Sequence, residues 1–486
     1  MSDGKQISDR IEPYVWKIAG VVILGMMMSI LDTTIVNVAL DTLGRDLHST
    51  IAQIQWVATG YLLALAAVIP LTGWSARRFG AKRVYLGSIV LFTVGSALCG
   101  LAESSTSLIL FRVLQGLGGG MIMPVSQMIM AEVAGPKRMG RVMSIVVMPA
   151  MLAPILGPVV GGLILENLHW SWIFFVNVPI GIVATILGMR MLPDSELGEA
   201  GKLDVTGLAL LVTGMPLVVY GLSEIGSRGS FTAPTVIWPI VAGIALLGAF
   251  GRHALRTARP LLDVRLYANR IFAAASLTTF GLGAALFGAM ILVPLYYQQV
   301  RGESVIVTGL LVGPQGLGML LTGPFTARLT QRFGGGRVAV VGVSILILSS
   351  LPLALIGADT SILWLSVALL ARGVGIGLSF IPTTTVAFAA LRTDQLSDAT
   401  PQMNVLQRVG GAIGTAVLAV VLQRASEGAN TPAELAGAFG TANWWALGIA
   451  ALSLIPCIVL LRAEGPTQTP TAAEELAEAE LEPLGA

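Results

Sequence analysis

The sequence predicts an all-α membrane protein made of two similar six-helix halves with a further helix pair between them, and three observations point there. The 486 residues are 55% apolar and only 12% charged, where soluble domains carry about 25% charged residues. Long apolar runs follow one another along the chain, each near the ~20 residues that an α-helix needs to cross a bilayer. Short motifs also recur at an interval of about 250 to 260 residues. With the runs removed, no water-soluble catalytic domain of useful size is left.

In chain order, the polar start at 1–17 does not read as a cleaved signal, and the first apolar run is too long for a signal core. Fourteen spans are predicted, at 18–40, 54–75, 84–102, 108–132, 142–164, 172–191, 206–224, 234–251, 271–295, 306–327, 338–357, 362–389, 405–422 and 441–461. The first six form an N-terminal half (18–203) and the last six a C-terminal half (271–462). The two between them (204–252) have no counterpart and read as an inserted pair. The stretch 253–270 mixes arginines with leucines, so it reads either as an amphipathic helix on the membrane face or as a solvated basic linker. From 463 to 486 the chain turns to Pro, Thr, Ala and Glu, which reads as a disordered acidic tail.

Loop charges set the orientation. Twenty-two lysines and arginines fall on the side carrying both ends of the chain, four on the other side, and three (Arg112, Arg372 and Arg408) within spans. Positively charged loops stay cytoplasmic, so both termini are expected in the cytoplasm. The repeat that defines the halves pairs Leu71-Thr72-Gly73 with Leu321-Thr322-Gly323 and Arg78-Phe79-Gly80 with Arg332-Phe333-Gly334. It also brings Arg112 onto Arg372. Parallel six-helix halves around a central site are a recurring transporter architecture.

A guanidinium inside a span is a functional-site hypothesis by default. Arg112, Gln115, Gly116, Gly119 and Met123 are spaced three and four apart and share one helix face. The alternative is that Arg112, near the outer end of its span, snorkels to the surface. Asp32, with Thr33, Thr34 and Asn37, makes the first span polar at mid-membrane. Asp32 is therefore the natural partner for Arg112, as a proton carrier or as a purely structural ion pair. The fifth span carries A-P-x-x-G-P-x-x-G-G at Ala153, Pro154, Gly157, Pro158, Gly161 and Gly162, a pattern for close helix approach and a bend. Methionines gather in the first, fourth and fifth spans, Met26 and Met123 among them. Thioethers repack around varied ligands, and core filling is the alternative for each. The candidate substrate-cavity residues are Met26, Thr33, Asn37, Gln115, Met123 and Arg372.

No phosphate-binding loop is present. His48, His169 and His253 are far apart, so no metal site is expected. Cys99 and Cys457 sit in apolar runs, so no disulfide framework is expected. No nucleophile and base pair stands out, and no enzymatic activity is expected. An ion gradient remains as the energy source, with no cofactor.

These residues resemble the fourteen-helix drug/proton antiporters of the major facilitator superfamily, the EmrB/QacA type. The resemblance rests on Leu31 to Leu40 (L-D-x-T-I-V-N-V-A-L), Arg112-x-x-Gln115-Gly116, the fifth-span glycines and prolines, Trp172 to Gly181, and Asn404 with Arg408 to Ala416. The loop motif G-x-L-A-D-R-x-G-R-K is similar at Gly73, Arg77, Arg78, Gly80, Lys82 and Arg83, but Arg77 stands where the gating aspartate is usual. Asp41 replaces the proline that often follows the first-span motif.

The resemblance implies a major facilitator fold and proton-coupled multidrug efflux of hydrophobic or cationic compounds across the bacterial cytoplasmic membrane. Asp32 and Arg112 would couple protons, and Asn404 and Arg408 would form a second-half conformational motif. It implies a monomer in the lipid bilayer with no nucleic-acid partner, and leaves open a periplasmic adaptor. The alternatives are a dedicated exporter of one endogenous lipid, antibiotic or siderophore, or, more remotely, a non-transporting sensor or scaffold.

Overall fold

The computed structural model describes residues 13–194, 201–228, 232–392 and 395–464. The first twelve residues and the acidic tail from 465 onward lie outside them. The N-terminal half comprises α1 (Pro13–Asp46), α2 (Ile51–Val68), α3 (Thr72–Phe79), α4 (Ala81–Gly100), α5 (Ser105–Asn167), α6 (Trp172–Phe175) and α7 (Asn177–Met191). The inserted pair is α8 (Val205–Arg228) and α9 (Pro234–Arg256). The C-terminal half comprises α10 (Arg270–Gln299), α11 (Val305–Phe333), α12 (Gly335–Ala354), α13 (Ile362–Ala389), α14 (Leu396–Ser426) and α15 (Pro432–Glu464).

Among the described residues 13 helical stretches are long and apolar enough to span a membrane. The remaining predicted span, the fifth at 142–164, begins on residues whose side chains, up to 155, are outside the described set. Large apolar side chains face outward, among them Leu363 (75% exposed), Trp238 (70%) and Leu348 (63%). Water would oppose that surface; lipid tails would not. The chain is a multi-pass membrane protein.

The predicted fourth and fifth spans are joined in one 63-residue helical stretch, α5. A straight helix would put Arg112 and Gly157 about 70 Å apart. Yet Arg112 bonds Asp32 of α1, and a Cβ at Gly157 would lie 2.5 Å from the Cβ of Thr34, also of α1. The axis of α5 therefore reverses between Arg112 and Gly157, and both of its limbs grip the same stretch of α1.

The run Gly116-Leu117-Gly118-Gly119-Gly120 explains how the first limb sits so close to its neighbours. A Cβ on Gly120 would stand 2.8 Å from the Leu65 carbonyl oxygen of α2, and one on Gly118 would stand 2.6 Å from the Phe92 amide nitrogen of α4. Any larger residue would push the helices apart, and in lipid it is such close packing that holds helices together. The repeated Arg-Phe-Gly motif has a backbone reason as well. Gly80 and Gly334 end α3 and α11 at φ of 84° and 83°, a region that residues with a Cβ rarely enter.

The inserted α8 packs on α9 and on both α2 and α14, so it lies along a seam where the two halves meet. Trp56 and Tyr220 stack across the α2/α8 contact at 5.7 Å. In place of an amphipathic α-helix after α9, residues 264–268 form a short 3-10 helix. The apolar side chains there, Leu261, Leu262 and Leu266, are buried against the protein, while Arg265 is exposed.

Asp204 caps the first turn of α8. Its carboxylate accepts from the Gly207 amide at 2.8 Å, the Leu261 amide at 3.2 Å and the His253 ring at 2.8 Å. Burial pushes this carboxyl up, but the Gly207 amide, His253 and the Leu261 amide outweigh it and hold it below its ordinary value.

Candidate functional site

The centre of the N-terminal half is a closed polar network inside an otherwise apolar bundle. Asp32 is 0% and Arg112 1% exposed, so the guanidinium does not snorkel. Arg112 Nη1 donates to Asp32 Oδ2 at 2.6 Å and to Gln115 Oε1 at 2.7 Å, and Nε donates to the Val57 carbonyl at 3.2 Å. Gln115 Nε2 and Asn177 Nδ2 each donate to Asp32 Oδ1 at 2.9 Å. The guanidinium carbon lies 4.1 Å from the centroid of the Tyr61 ring, within cation–π range.

An outer set of bonds orients these groups. Asn177 also donates to Ser96 Oγ at 3.1 Å, and Ser96 donates to the Phe174 carbonyl at 2.9 Å. Ser29 and Tyr61 share a hydroxyl contact at 3.3 Å.

Asp32 as a carboxylate is an acceptor on both oxygens, and every group facing it is a donor. A protonated carboxyl carries a donor of its own. Loading a proton on Asp32 cancels the negative charge that pairs with Arg112 and adds a donor to a site already lined with donors.

Sequence reasoning paired Asp32, Arg112 and Gln115, and the structure brings all three together. It missed Asn177, Ser96 and Tyr61. The available signal was a lone asparagine within the apolar run Trp172 to Gly181. The other candidate cavity residues are dispersed. Thr33 bonds back to the Ser29 carbonyl at 3.1 Å. Asn37 is exposed and Met123 half-buried. Met26 is 1% exposed within the apolar core. Arg372 is in the other half.

Of the fifth-span motif, Gly157 and Gly161 face α1, the latter with Ile35 Cα 3.5 Å from where its Cβ would be. Gly162 is buried, and the side chains of Pro154 and Pro158 lie outside the described residues.

The loop motif connects the halves. Gly73 lets the Ser397 backbone of α14 approach α3. Arg77 Nη1 donates to Ser397 Oγ at 2.6 Å and to Asp398 Oδ1 at 2.8 Å. The cation at the usual acid position thus faces an acid supplied by the opposite half. Arg78 and Arg83 are exposed. Lys82 pairs with Asp194 at 2.9 Å, which holds that exposed carboxyl below its ordinary range. Farther along α14, Asn404 Nδ2 reaches across to Gln127 Oε1 of α5 at 2.8 Å, and Arg408, one turn on, is half-buried.

A bundle of two six-helix halves with a buried acid–guanidinium network defines a membrane transporter. The sequence model of the Major Facilitator Superfamily matches residues 22–415, and the chain belongs to that family. Among its relatives is the "Multidrug resistance protein B homolog" of Mycobacterium tuberculosis, 39% identical over 425 residues, covering 87% of this chain and 78% of the relative. The "Multidrug export protein EmrB" of Haemophilus influenzae is 33% identical over 397 residues, covering 81% and 78%. A solved double-tryptophan mutant of XylE superposes with a TM-score of 0.66 over 96% of this chain and 99% of its own, at 14% identity, which shows the shared fold.

Proposed function

We propose that this protein exports hydrophobic or cationic small molecules in exchange for protons, across a bacterial cytoplasmic membrane with both termini inside. The observation that carries the reading is the Asp32 carboxylate, fully buried and facing only donors from Arg112, Gln115 and Asn177. The names of the multidrug-export relatives support the substrate breadth. The excess of arginine and lysine in the loops of one side supports the orientation.

Protonation of Asp32 from outside cancels the charge that holds Arg112. Loss of that proton inward restores the network and resets the transporter. One pH unit supplies about 1.4 kcal/mol per proton, and 100 mV adds roughly 2.3 kcal/mol per charge. One or two protons per cycle therefore sustain a substantial gradient of cargo. The two halves supply the whole pathway within one chain, with no cofactor and no catalytic step.

The test is dye transport in inside-out vesicles with an imposed pH gradient. Gradient-dependent uptake of several unrelated dyes supports the proposal. Transport of a single chemical class favours a dedicated exporter, and uptake indifferent to the gradient defeats the proton-exchange reading.

A further inference from the structure

The two halves differ at their charged centres. Besides Arg372 for Arg112, other members of the first network have similar residues at matching places on the helices of the second half. Ser96 and Ser350 each stand four residues before the end of a 20-residue helix, α4 and α12. Asn177 of α7 has a counterpart in Asn443 of α15, each a buried asparagine on the last spanning helix of its half. Arg372, Ser350 and Asn443 are 2%, 3% and 3% exposed.

What the second half does not repeat is the acceptor. Gln115, three residues beyond Arg112, is matched by Gly375, three beyond Arg372. The helix that matches α1 is α10, and it contains no aspartate or glutamate. Arg372 Nη2 donates to the Ala285 carbonyl of α10 at 3.3 Å. Its Nε and Nη1 are buried and have no hydrogen-bond partner among the described residues. Leu369 on one side and Ile376 on the other belong to separate apolar clusters of this half. A guanidinium keeps its charge at neutral pH, and a charge buried among apolar side chains requires a counter-charge.

We infer that Arg372 anchors a small-anion site within the C-terminal half. Its ligand is one monovalent anion that accepts hydrogen bonds from Nε and Nη1 and supplies the negative charge that Asp32 supplies to Arg112. Two sources share that chemistry: a free halide, and the carboxylate of a transported acid. The inference goes beyond proton exchange and is tested by binding, with no gradient, so the two readings fail independently.

The test uses the purified full-length protein in detergent, at constant ionic strength in sodium sulfate, whose divalent anion does not match a single guanidinium. Sodium chloride or bromide is exchanged in, and in a second series benzoate, with benzamide as the neutral control. The readout is the thermal unfolding midpoint. A saturable rise of a few degrees is expected with halide, with benzoate or with both, and none with benzamide. Halide alone identifies an inorganic ion, benzoate alone an acidic cargo group, and both a site open to either.

Arg372→Gln is expected to abolish the rise. Ala285→Asp, which supplies a carboxylate from the residue whose carbonyl already meets the guanidinium, is expected to raise the midpoint in sulfate and remove the anion dependence. A wild-type midpoint that is flat in every anion overturns the inference. So does a rise that survives in Arg372→Gln, or in Ala285→Asp where the former does not fold.

Discussion

Replacing Asp32 by asparagine keeps the side-chain shape and removes the charge that faces Arg112. The carboxylate accepts three bonds on two oxygens, from Arg112 at 2.6 Å and from Gln115 and Asn177 at 2.9 Å each. Asparagine offers one acceptor oxygen, so its amide must face either the guanidinium or the two amide donors. Gln115 cannot simply flip, because its own oxygen accepts from Arg112 at 2.7 Å. Breaking a buried pair from one side costs about 3–5 kcal/mol, a fall in unfolding midpoint of about 3–5 °C for a chain of this length. Replacing both partners, as Asp32→Leu with Arg112→Met, removes the unpaired charge and is expected to recover much of that loss. Neither variant should couple dye transport to a pH gradient in vesicles. An Asp32→Asn protein that pumps at the wild-type rate with the wild-type pH dependence would refute the assignment of the proton to this carboxylate.

Exchanging the charges of the loop contact gives a second test. Arg77→Asp alone should loosen the contact between halves and raise the reactivity of a cysteine placed beside it, and adding Asp398→Arg should restore protection. Because the pair is partly exposed, its effect on stability should stay at about 1 kcal/mol or less. At Gly157, even Ala meets Thr34, and Gly157→Leu should cost transport before it costs expression, with overpacking of about 1–3 kcal/mol read from thermal unfolding. Asp204 predicts a pH dependence: its folded carboxyl titrates below the unfolded value of about 3.9, so it stabilises the fold at neutral pH and that stabilisation is lost as pH falls through its titration. Asp204→Asn should unfold earlier than wild type at pH 7, with the difference narrowing below about pH 4.

The fold was legible because a bilayer imposes length, apolarity and loop charge on every span, and each of these is written locally in the chain. The Asp32 to Arg112 pair was legible because two charges in apolar helices have few other places to go. Arg112 looked shallow by counting from its helix end, yet its side chain runs inward over Tyr61, which no count of residues reveals. Asn177 joins Asp32 across 145 residues, and Gln127 meets Asn404 across 277. Such pairings carry no spacing rule. The meaning of Arg77 depended on Asp398, an acid in the other half that has no counterpart in the loop motif. Asn37, a cavity candidate by type, is exposed, and which face of α1 it lies on is set by neighbours that the sequence does not place.

The reversal of α5 has a mechanical consequence. One limb holds α1 at Asp32 through charge, and the other holds it at Thr34 and Ile35 through the absence of side chains. These grips are two to three residues apart, about 3 to 4.5 Å along the helix. A change in the charge of Asp32 is therefore felt at the glycine seam with almost no intervening structure to absorb it. The signal that a proton has arrived and the bearing on which α1 can move are two sides of a single helical turn, so a substitution that pads either side should leave a transporter that binds both ligands and fails to trade one for the other.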